Sequence, residues 1–218
     1  MKELLMAFAS TDNTRSDFLH APFNIGEHTF STNGYTLICV EKQGEYNEVP
    51  IEKLKGVWPV EPNCNKSYSV EAIRQAVNAC PLINETECDE CYECDGAGEV
   101  EWDYDGKKGK QYHQEFECPC CDGTGEINTR LTGRRIFKKY DDAFHIVLND
   151  SVFGAEYLNH IVLAADFFAT TEVTLLAEGK AARNCFKIGN AEVIIMPVLH
   201  QDDETKAAMT VVPELTHA

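Results

Sequence analysis

The chain contains Cys91-Tyr-Glu-Cys94-Asp-Gly-Ala-Gly98 and, further on, Cys118-Pro-Cys-Cys121-Asp-Gly-Thr-Gly125, two copies of the motif C-x-x-C-D-G-x-G. We call each copy a knuckle. Two residues between the cysteines of a tight turn let both thiolates face one cation, and the glycines let the backbone bend and direct amides at sulfur. Two knuckles supply four thiolates, the tetrahedral set that Zn²⁺ prefers in a structural site. The sequence therefore predicts a Zn²⁺ site formed by Cys91, Cys94, Cys118 and Cys121.

Two further cysteines leave the ligand set open to alternatives. Two residues also separate Cys88 from Cys91, and Cys120 adjoins Cys121. We prefer Cys94 to Cys88 because Asp-Gly follows Cys94, as it follows Cys121. Cys88 and Cys120 are then spare thiols or alternative ligands. A pair of disulfides is the competing interpretation, but matched C-x-x-C pairs in a chain expected in a reducing cytoplasm favour metal.

The spacer between the knuckles predicts a β-hairpin. Residues 99–104 and 111–116 are aromatic-rich runs, and Asp105-Gly-Lys-Lys-Gly-Lys110 between them has turn chemistry. A hairpin returns its two ends to the same place, so it brings the second knuckle onto the first. We expect its aromatic residues to pack across the two strands; a peptide-binding or base-stacking platform is the alternative.

The knuckle motif resembles the repeat of the cysteine-rich region of DnaJ-type co-chaperones. That family carries four copies and binds two zinc ions, so the resemblance implies one Zn²⁺ for the two copies here. The chain has no His-Pro-Asp triplet, the signature of the domain that engages the Hsp70 partner. The resemblance therefore carries over the metal module and not the co-chaperone function.

Charge separates this central region from the rest of the chain. The 218 residues carry a net charge of −17, and between Glu85 and Glu126 fourteen Asp and Glu stand against three Lys, a net charge of −11. A tetrathiolate zinc centre adds about two more negative charges. We therefore expect this acidic finger to contact a protein rather than phosphates. No run approaches the ~20 apolar residues of a membrane helix, so no membrane contact is expected.

The flanks of the finger predict similar combinations of one helix with several strands. The first flank has a helix that begins after Ser69 and ends at Cys80, and a hairpin at Asn33-Gly34; the second has a helix over 153–168 followed by three strands. We predict an α+β fold, a domain of two helix-plus-strands halves with an inserted zinc-binding β-hairpin. The expected segments are a first half (1–86), the insertion (87–126), a second half (127–200) and a loosely docked tail (201–218).

This arrangement resembles one domain of a bacterial DNA polymerase III beta sliding clamp. Phe30-Ser-Thr-Asn-Gly-Tyr-Thr-Leu37 is similar to that family's A-T-D-G-x-R-L strand, and the run from Tyr157 to Val198 is similar to its closing helix and strands. Asn33 and Thr36 stand where the family has Asp and Arg. The resemblance implies association with DNA replication or DNA. It also implies a homo-oligomer, since a clamp chain has three such domains and this chain has room for one.

The most basic stretch of the chain has two interpretations. Its cationic residues either contact nucleic acid or balance the acidic finger within the same molecule. These residues are Arg130, Arg134, Arg135, Lys138 and Lys139.

Motifs of catalysis are absent from the sequence. There is no phosphate-binding loop, no nucleophile elbow and no His-Glu-x-x-His, and we expect His113 to be an exposed polar residue and not a ligand. We therefore expect no enzyme, but a cytoplasmic binding protein with a clamp-like body and a structural zinc finger for protein contact. The alternative is a chaperone-like or inhibitory adaptor that binds its partners through the finger.

Overall fold

The computed structural model describes residues 1–12, 14–137, 145–179, 182–198 and 210–215. The chain divides into two compact units. We call Met1–Pro81 with Phe137–Ala218 the body, and Leu82–Ile136 the hairpin unit. The hairpin unit is longer than the insertion predicted at 87–126, because strands on both sides of the knuckles pair with each other.

The described residues form α-helices and β-strands, which confirms an α+β fold. In chain order these are α1 (Lys2–Ala7), β1 (Phe23–Ile25), β2 (His28–Thr32), β3 (Thr36–Glu41), β4 (Asn47–Glu48), β5 (Lys66–Ser69), α2 (Val70–Ala79), β6 (Leu82–Glu90), β7 (Glu99–Asp105), β8 (Gln111–Glu117), β9 (Glu126–Phe137), β10 (His145–Leu148), β11 (Ser151–Gly154), α3 (Ala155–Phe168), β12 (Glu172–Ala177), β13 (Asn184–Ile188), β14 (Ala191–Ile195) and β15 (Thr210–Val212).

The body is built on an eight-stranded sheet with the order β4-β1-β2-β3-β14-β13-β12-β5. Each half contributes a helix followed by an antiparallel meander: α1 precedes β1–β3, and α3 precedes β12–β14. The last strands of the two meanders, β3 and β14, pair and join the halves. The predicted two halves are thus confirmed, although the helix that begins the first meander is the short α1. The longer α2 follows β5 and packs on α3.

Both faces of this sheet are buried, and alternate residues of one strand enter different clusters. Ile38 and Val40 of β3 pack in a large cluster with all three helices, whereas Leu37 and Cys39 pack in a smaller cluster on the other side. Alternation of side chains along a strand has this effect whenever both faces are covered. The central strands therefore read as continuous apolar runs.

Local signals explain the ends of several elements. Ser69 caps α2, as predicted, by accepting a hydrogen bond from the Ala72 amide at 3.4 Å. The hairpin predicted at Asn33-Gly34 is also present, but its turn is not the mirror-image type that this dipeptide favours. Of the two central residues of this turn, Gly34 has a positive φ, +92°, and Asn33 does not. The Asn33 side chain accepts hydrogen bonds from the amides of Tyr35 and Thr36.

The described end of the chain adds a strand to a second, three-stranded sheet of order β11-β10-β15. Because Val212 is buried and β15 pairs in parallel with β10, residues 210–212 are more firmly held than the loose tail expected at 201–218. Residues 201–209 and 216–218 of that tail lie outside the described residues. Among the described helices, none has the length and apolar character needed to cross a membrane.

His160 of α3 is a histidine of the body whose pKa is shifted by its surroundings. Its ring stacks on Phe8 at 4.5 Å between centroids, and its Nδ1 lies 3.1 Å from Thr36 Oγ1. Burial lowers the pKa of His160 from 6.5 to about 4. The folded state therefore binds fewer protons than the unfolded state between these values, and stability is lost as pH falls from about 6.5 towards 4.

We expect His160→Phe to flatten this pH dependence, because phenylalanine keeps the stacking but cannot titrate. Between pH 7 and pH 4.5 the native body should lose about 2 kcal/mol more of its free energy of unfolding than the variant. Urea unfolding in a Trp102→Phe background measures this, since Trp58 is then the remaining tryptophan. Equal losses in the two proteins would contradict the assignment.

Candidate metal centre

Four buried thiols converge between the knuckles. The Sγ atoms of Cys91, Cys94, Cys118 and Cys121 all lie within 4.8 Å of one another. The Cys91–Cys118 and Cys94–Cys121 Sγ pairs are each 3.8 Å apart. This separation is far from the ~2.05 Å of a disulfide. It equals the edge of about 3.8 Å that a tetrahedron with ~2.3 Å Zn–S bonds requires. The donor set and its spacing therefore fit a tetrahedral, thiolate-loving cation.

The Asp-Gly-x-Gly part of each knuckle bends its backbone back towards sulfur. Asp95 and Asp122 have φ of 47° and 51°, and the glycine after each has φ of 79°. This left-handed path is tolerated by Asp and favoured by Gly. It brings the amides of Gly98 and Gly125 to 3.2 Å from the Sγ atoms of Cys94 and Cys121. The motif thus supplies hydrogen bonds that stabilise thiolate charge.

The last glycine of each knuckle touches the other knuckle. The Cys91 amide donates to the Gly125 carbonyl at 2.8 Å, and the Cys118 amide donates to the Gly98 carbonyl at 2.7 Å. A Cβ added at Gly98 would collide with the carbonyl of Gly123, and one added at Gly125 would collide with the carbonyl of Gly96. The two copies therefore close on each other symmetrically, with no room for a side chain at the contact.

The thiols influence one another at this distance. Burial raises the pKa of Cys94 to about 12. At Cys91 burial also acts to raise the pKa, but hydrogen bonds from the amides of Glu93 and Cys94 and with the thiols of Cys94 and Cys118 together outweigh it and lower the pKa to about 7. A bound dication favours the thiolate form of every ligand. The cluster thus has the chemistry of a metal site whose charge is completed by the cation.

The spare cysteines stay outside the cluster. Cys88 and Cys120 are exposed, and neither belongs to the group of four convergent thiols. A hydrogen bond with Glu126 raises the pKa of Cys88, which makes it a poor thiolate. His113 is exposed, and its Nδ1 lies 2.7 Å from Asp103 Oδ1, away from the four sulfurs. The arrangement thus places together the four cysteines that the knuckle spacing selects.

The hairpin unit has almost no other core. Its buried cluster consists of the four cysteines, with Val100 and Ile127 packed against it. Its two pairs of strands, β6 with β9 and β7 with β8, are exposed at most positions. A unit of this size without an apolar core depends on a metal or cross-links for stability.

The arginines of the basic stretch pair with acids of the same unit. Arg130 Nη1 lies 3.4 Å from Asp89 Oδ1, and Arg134 Nε lies 2.7 Å from Glu85 Oε2. Arg135 donates to the carbonyl of Leu82 at 2.8 Å. These contacts favour the interpretation that the stretch balances acidic charge internally. Lys138 and Lys139 lie outside the described residues.

The spacer hairpin segregates its residues between two faces. In the β7–β8 register Val100 faces Phe116, Trp102 faces Gln114 and Tyr104 faces Tyr112. We call these six residues the aromatic face. The other face carries Glu99, Glu101, Asp103, Asp105, Gln111, His113, Glu115 and Glu117, and we call it the acidic face.

The rings do pack across the strands, as expected, and yet remain exposed. Ring centroids lie 6.1 Å apart for Trp102 and Phe116 and 6.2 Å apart for Tyr104 and Tyr112. Trp102 is 61% exposed and Tyr104 63% exposed. The predicted packing is thus present, and the exposure of the rings agrees with the alternative expectation of a binding platform. The spacing of the rings at every second residue puts them on one face of a strand.

Comparison with known proteins finds similarity in the fold of solved structures. No protein-family model matches the chain, and no curated protein matches it. Similar structures include the DNA polymerase III subunit beta from Pseudomonas aeruginosa, with 11% identity, a TM-score of 0.45, and coverage of 90% of this chain and 62% of that one. The beta sliding clamp of Caulobacter crescentus has 11% identity and a TM-score of 0.46, with coverage of 91% and 63%. The DnaN sliding clamp of Bartonella birtlesii has 13% identity with the same TM-score and coverage.

This likeness concerns the fold alone. The chain spans less than two thirds of the length of these clamp chains. The clamp-like fold predicted from sequence agrees with these neighbours, while the DnaJ-type resemblance of the knuckles stays a prediction.

We expect Cys94→Ser to lose zinc and Cys120→Ser to keep it, although each of these cysteines lies within a knuckle. Cys94 Sγ belongs to the convergent set and Cys120 is an exposed neighbour of it. Elemental analysis of the purified proteins should find about one Zn²⁺ per chain for the native protein and Cys120→Ser, as four thiolates hold one ion. Equal zinc content in the two variants would contradict the ligand assignment.

We expect Gly98→Ala to weaken zinc binding by about tenfold or more, because its methyl group forces the knuckles apart. Gly109→Ala is the matched control: its φ is +69° against +78° at Gly98, but an added Cβ meets nothing within 4 Å. Both variants carry the backbone strain of a left-handed alanine, and only the first carries the collision. Competition with a chromophoric chelator measures the affinities; similar losses in both would show that strain alone matters.

Proposed function

We propose that this chain is a non-enzymatic binding protein in which a zinc-held hairpin makes contact with a partner protein. In this proposal Cys91, Cys94, Cys118 and Cys121 bind Zn²⁺. Four thiolates fill a tetrahedral shell and leave no position for a substrate or water, so the ion is structural. Its role is to hold the β7–β8 hairpin in place.

The observation that carries the proposal is the exposed aromatic face. Trp102, Tyr104, Tyr112 and Phe116 are each between 47% and 63% exposed on one side of a single hairpin. Scattered surface hydrophobics are normal, but contiguous aromatic patches mark interaction sites. Tryptophan and tyrosine are also the residues most enriched among those that dominate binding energy at protein interfaces.

Charge favours a protein over nucleic acid as the partner of this unit. The hairpin unit carries fourteen Asp and Glu against six Lys and Arg, a net charge of −8. Its three arginines contact Asp89, Glu85 and a backbone carbonyl, which leaves them poorly available for phosphates. DNA association and homo-oligomer formation stay predictions of the clamp resemblance. A DNA titration at low salt and light scattering test them.

The chaperone-like or inhibitory adaptor is the second candidate, and the same aromatic face supports it. An adaptor of this kind would bind unfolded segments or one regulated partner through the hairpin. Both candidates need reduced thiols, since oxidation of the four cysteines would release the ion. We therefore propose a reducing compartment, the cytoplasm, as the site of action.

We expect Trp102→Ser with Tyr104→Ser to abolish partner capture without loss of zinc. The full chain, loaded with zinc and immobilised, is compared with this variant by quantitative mass spectrometry of proteins retained from the native host. The specific partners should fall at least about tenfold, the effect of losing a dominant aromatic contact.

Leu131→Ser is the control for this experiment. Leu131 is 67% exposed on β9 of the same unit but lies off the aromatic face. Its substitution should leave capture unchanged. Partners retained equally by the aromatic variant would remove the hairpin from the proposal.

A further inference from the structure

We propose that the aromatic face binds a basic, apolar segment of its partner, in which Lys or Arg alternates with aliphatic residues. This inference rests on the proposed function, because it names the chemistry of the partner at the same hairpin. It follows from the carboxylates on the opposite face of the hairpin and from a lysine that already lies over one ring, and both are independent of the exposure that marks the site.

The rings already accept a cation from the chain itself. Lys110 Nζ lies 5.1 Å from the centroid of the Tyr112 ring, at the turn end of the aromatic face. An ammonium at this distance is attracted by the negative face of the ring. Trp102 and Tyr104, further along the same face, offer further ring surface of the same kind.

The acidic face of the hairpin places like charges opposite one another on β7 and β8. Glu99 lies directly opposite Glu117, and Glu101 lies directly opposite Glu115. Like charges at paired positions of two strands destabilise the pairing. His113, with its Nε2 3.9 Å from Glu101 Oε1, is the nearby cation when protonated. A hydrogen bond with Asp103 raises the pKa of His113.

These carboxylates act on a ligand at the aromatic face. A two-stranded ribbon is one layer thick, so the acidic face lies close behind the rings. At physiological ionic strength the Debye length is about 8 Å, so the field of the carboxylates is only partly screened there. The same field repels phosphates and acidic peptides. Aliphatic side chains of the partner would cover the rings, and its cations would compensate the charge.

Three peptides of seven residues, the length of β7, separate these contributions. One alternates Lys with Leu, the second replaces each Lys by Glu, and the third replaces each Leu by Ser. We expect the zinc-loaded full chain to bind the Lys-Leu peptide at least about tenfold more tightly than either of the others, measured by fluorescence anisotropy.

Variants of the hairpin then test which face is used. Trp102→Ser should weaken Lys-Leu binding by about tenfold, whereas Leu131→Ser, which removes a 67% exposed side chain from β9, should leave it within about twofold. Glu101→Gln with Glu115→Gln should weaken binding and, at the same time, slow amide hydrogen exchange in 99–117, because one repulsive pair is removed.

Some outcomes would overturn the inference while leaving the proposed function intact. Equal affinity for the Lys-Leu and Glu-Leu peptides would show that the rings bind without regard to charge. An unchanged affinity of the Glu101→Gln, Glu115→Gln variant for the Lys-Leu peptide would show the same. Lys-Leu binding that survives Trp102→Ser would place the cation on the acidic face and overturn it as well. Failure of the proposed function is seen elsewhere, as partner capture that does not depend on the hairpin.

Discussion

The hairpin unit depends on the closure of two knuckles around four sulfur atoms. Each knuckle contributes two thiols, and each uses its last glycine to accept a hydrogen bond from the first cysteine of the other. Without a cation this arrangement packs four thiols together with only Val100 and Ile127 beside them. A cation bound by these thiols would take the place of a hydrophobic core in this unit.

This way of gaining stability leaves the hairpin side chains free for other uses. In the body, large apolar residues such as Phe186 and Ile38 are buried and their identity is constrained by packing. In the hairpin unit Trp102 and Tyr104 stabilise little by burial, because they remain mostly exposed. Because exposed aromatic rings contribute little to folding, their exposure is the observation behind the proposed binding role.

Local chemistry is the part of the structure that could be predicted from sequence. The knuckles, the cap at Ser69 and the meander of β12–β14 each follow from residues within a few positions of one another. The pairing of β6 with β9 could not be predicted, since both strands are polar and exposed. The residues that meet across this pair are also about forty positions apart in the sequence. The turn at Asn33 differs from the mirror-image type that Asn-Gly favours. The asparagine side chain accepts the hydrogen bonds of the Tyr35 and Thr36 amides, so its backbone does not need a positive φ.

The same pairing decides how the basic stretch is interpreted. In the sequence, Arg130, Arg134 and Arg135 form a cationic run of the kind that binds phosphates. In the structure β9 lies beside β6, so Arg130 and Arg134 meet Asp89 and Glu85 across the ladder. These ion pairs link β6 with β9, and the unit keeps a net charge of −8. In the function proposed above, the partner brings positive charge to this acidic unit and the exposed rings receive it.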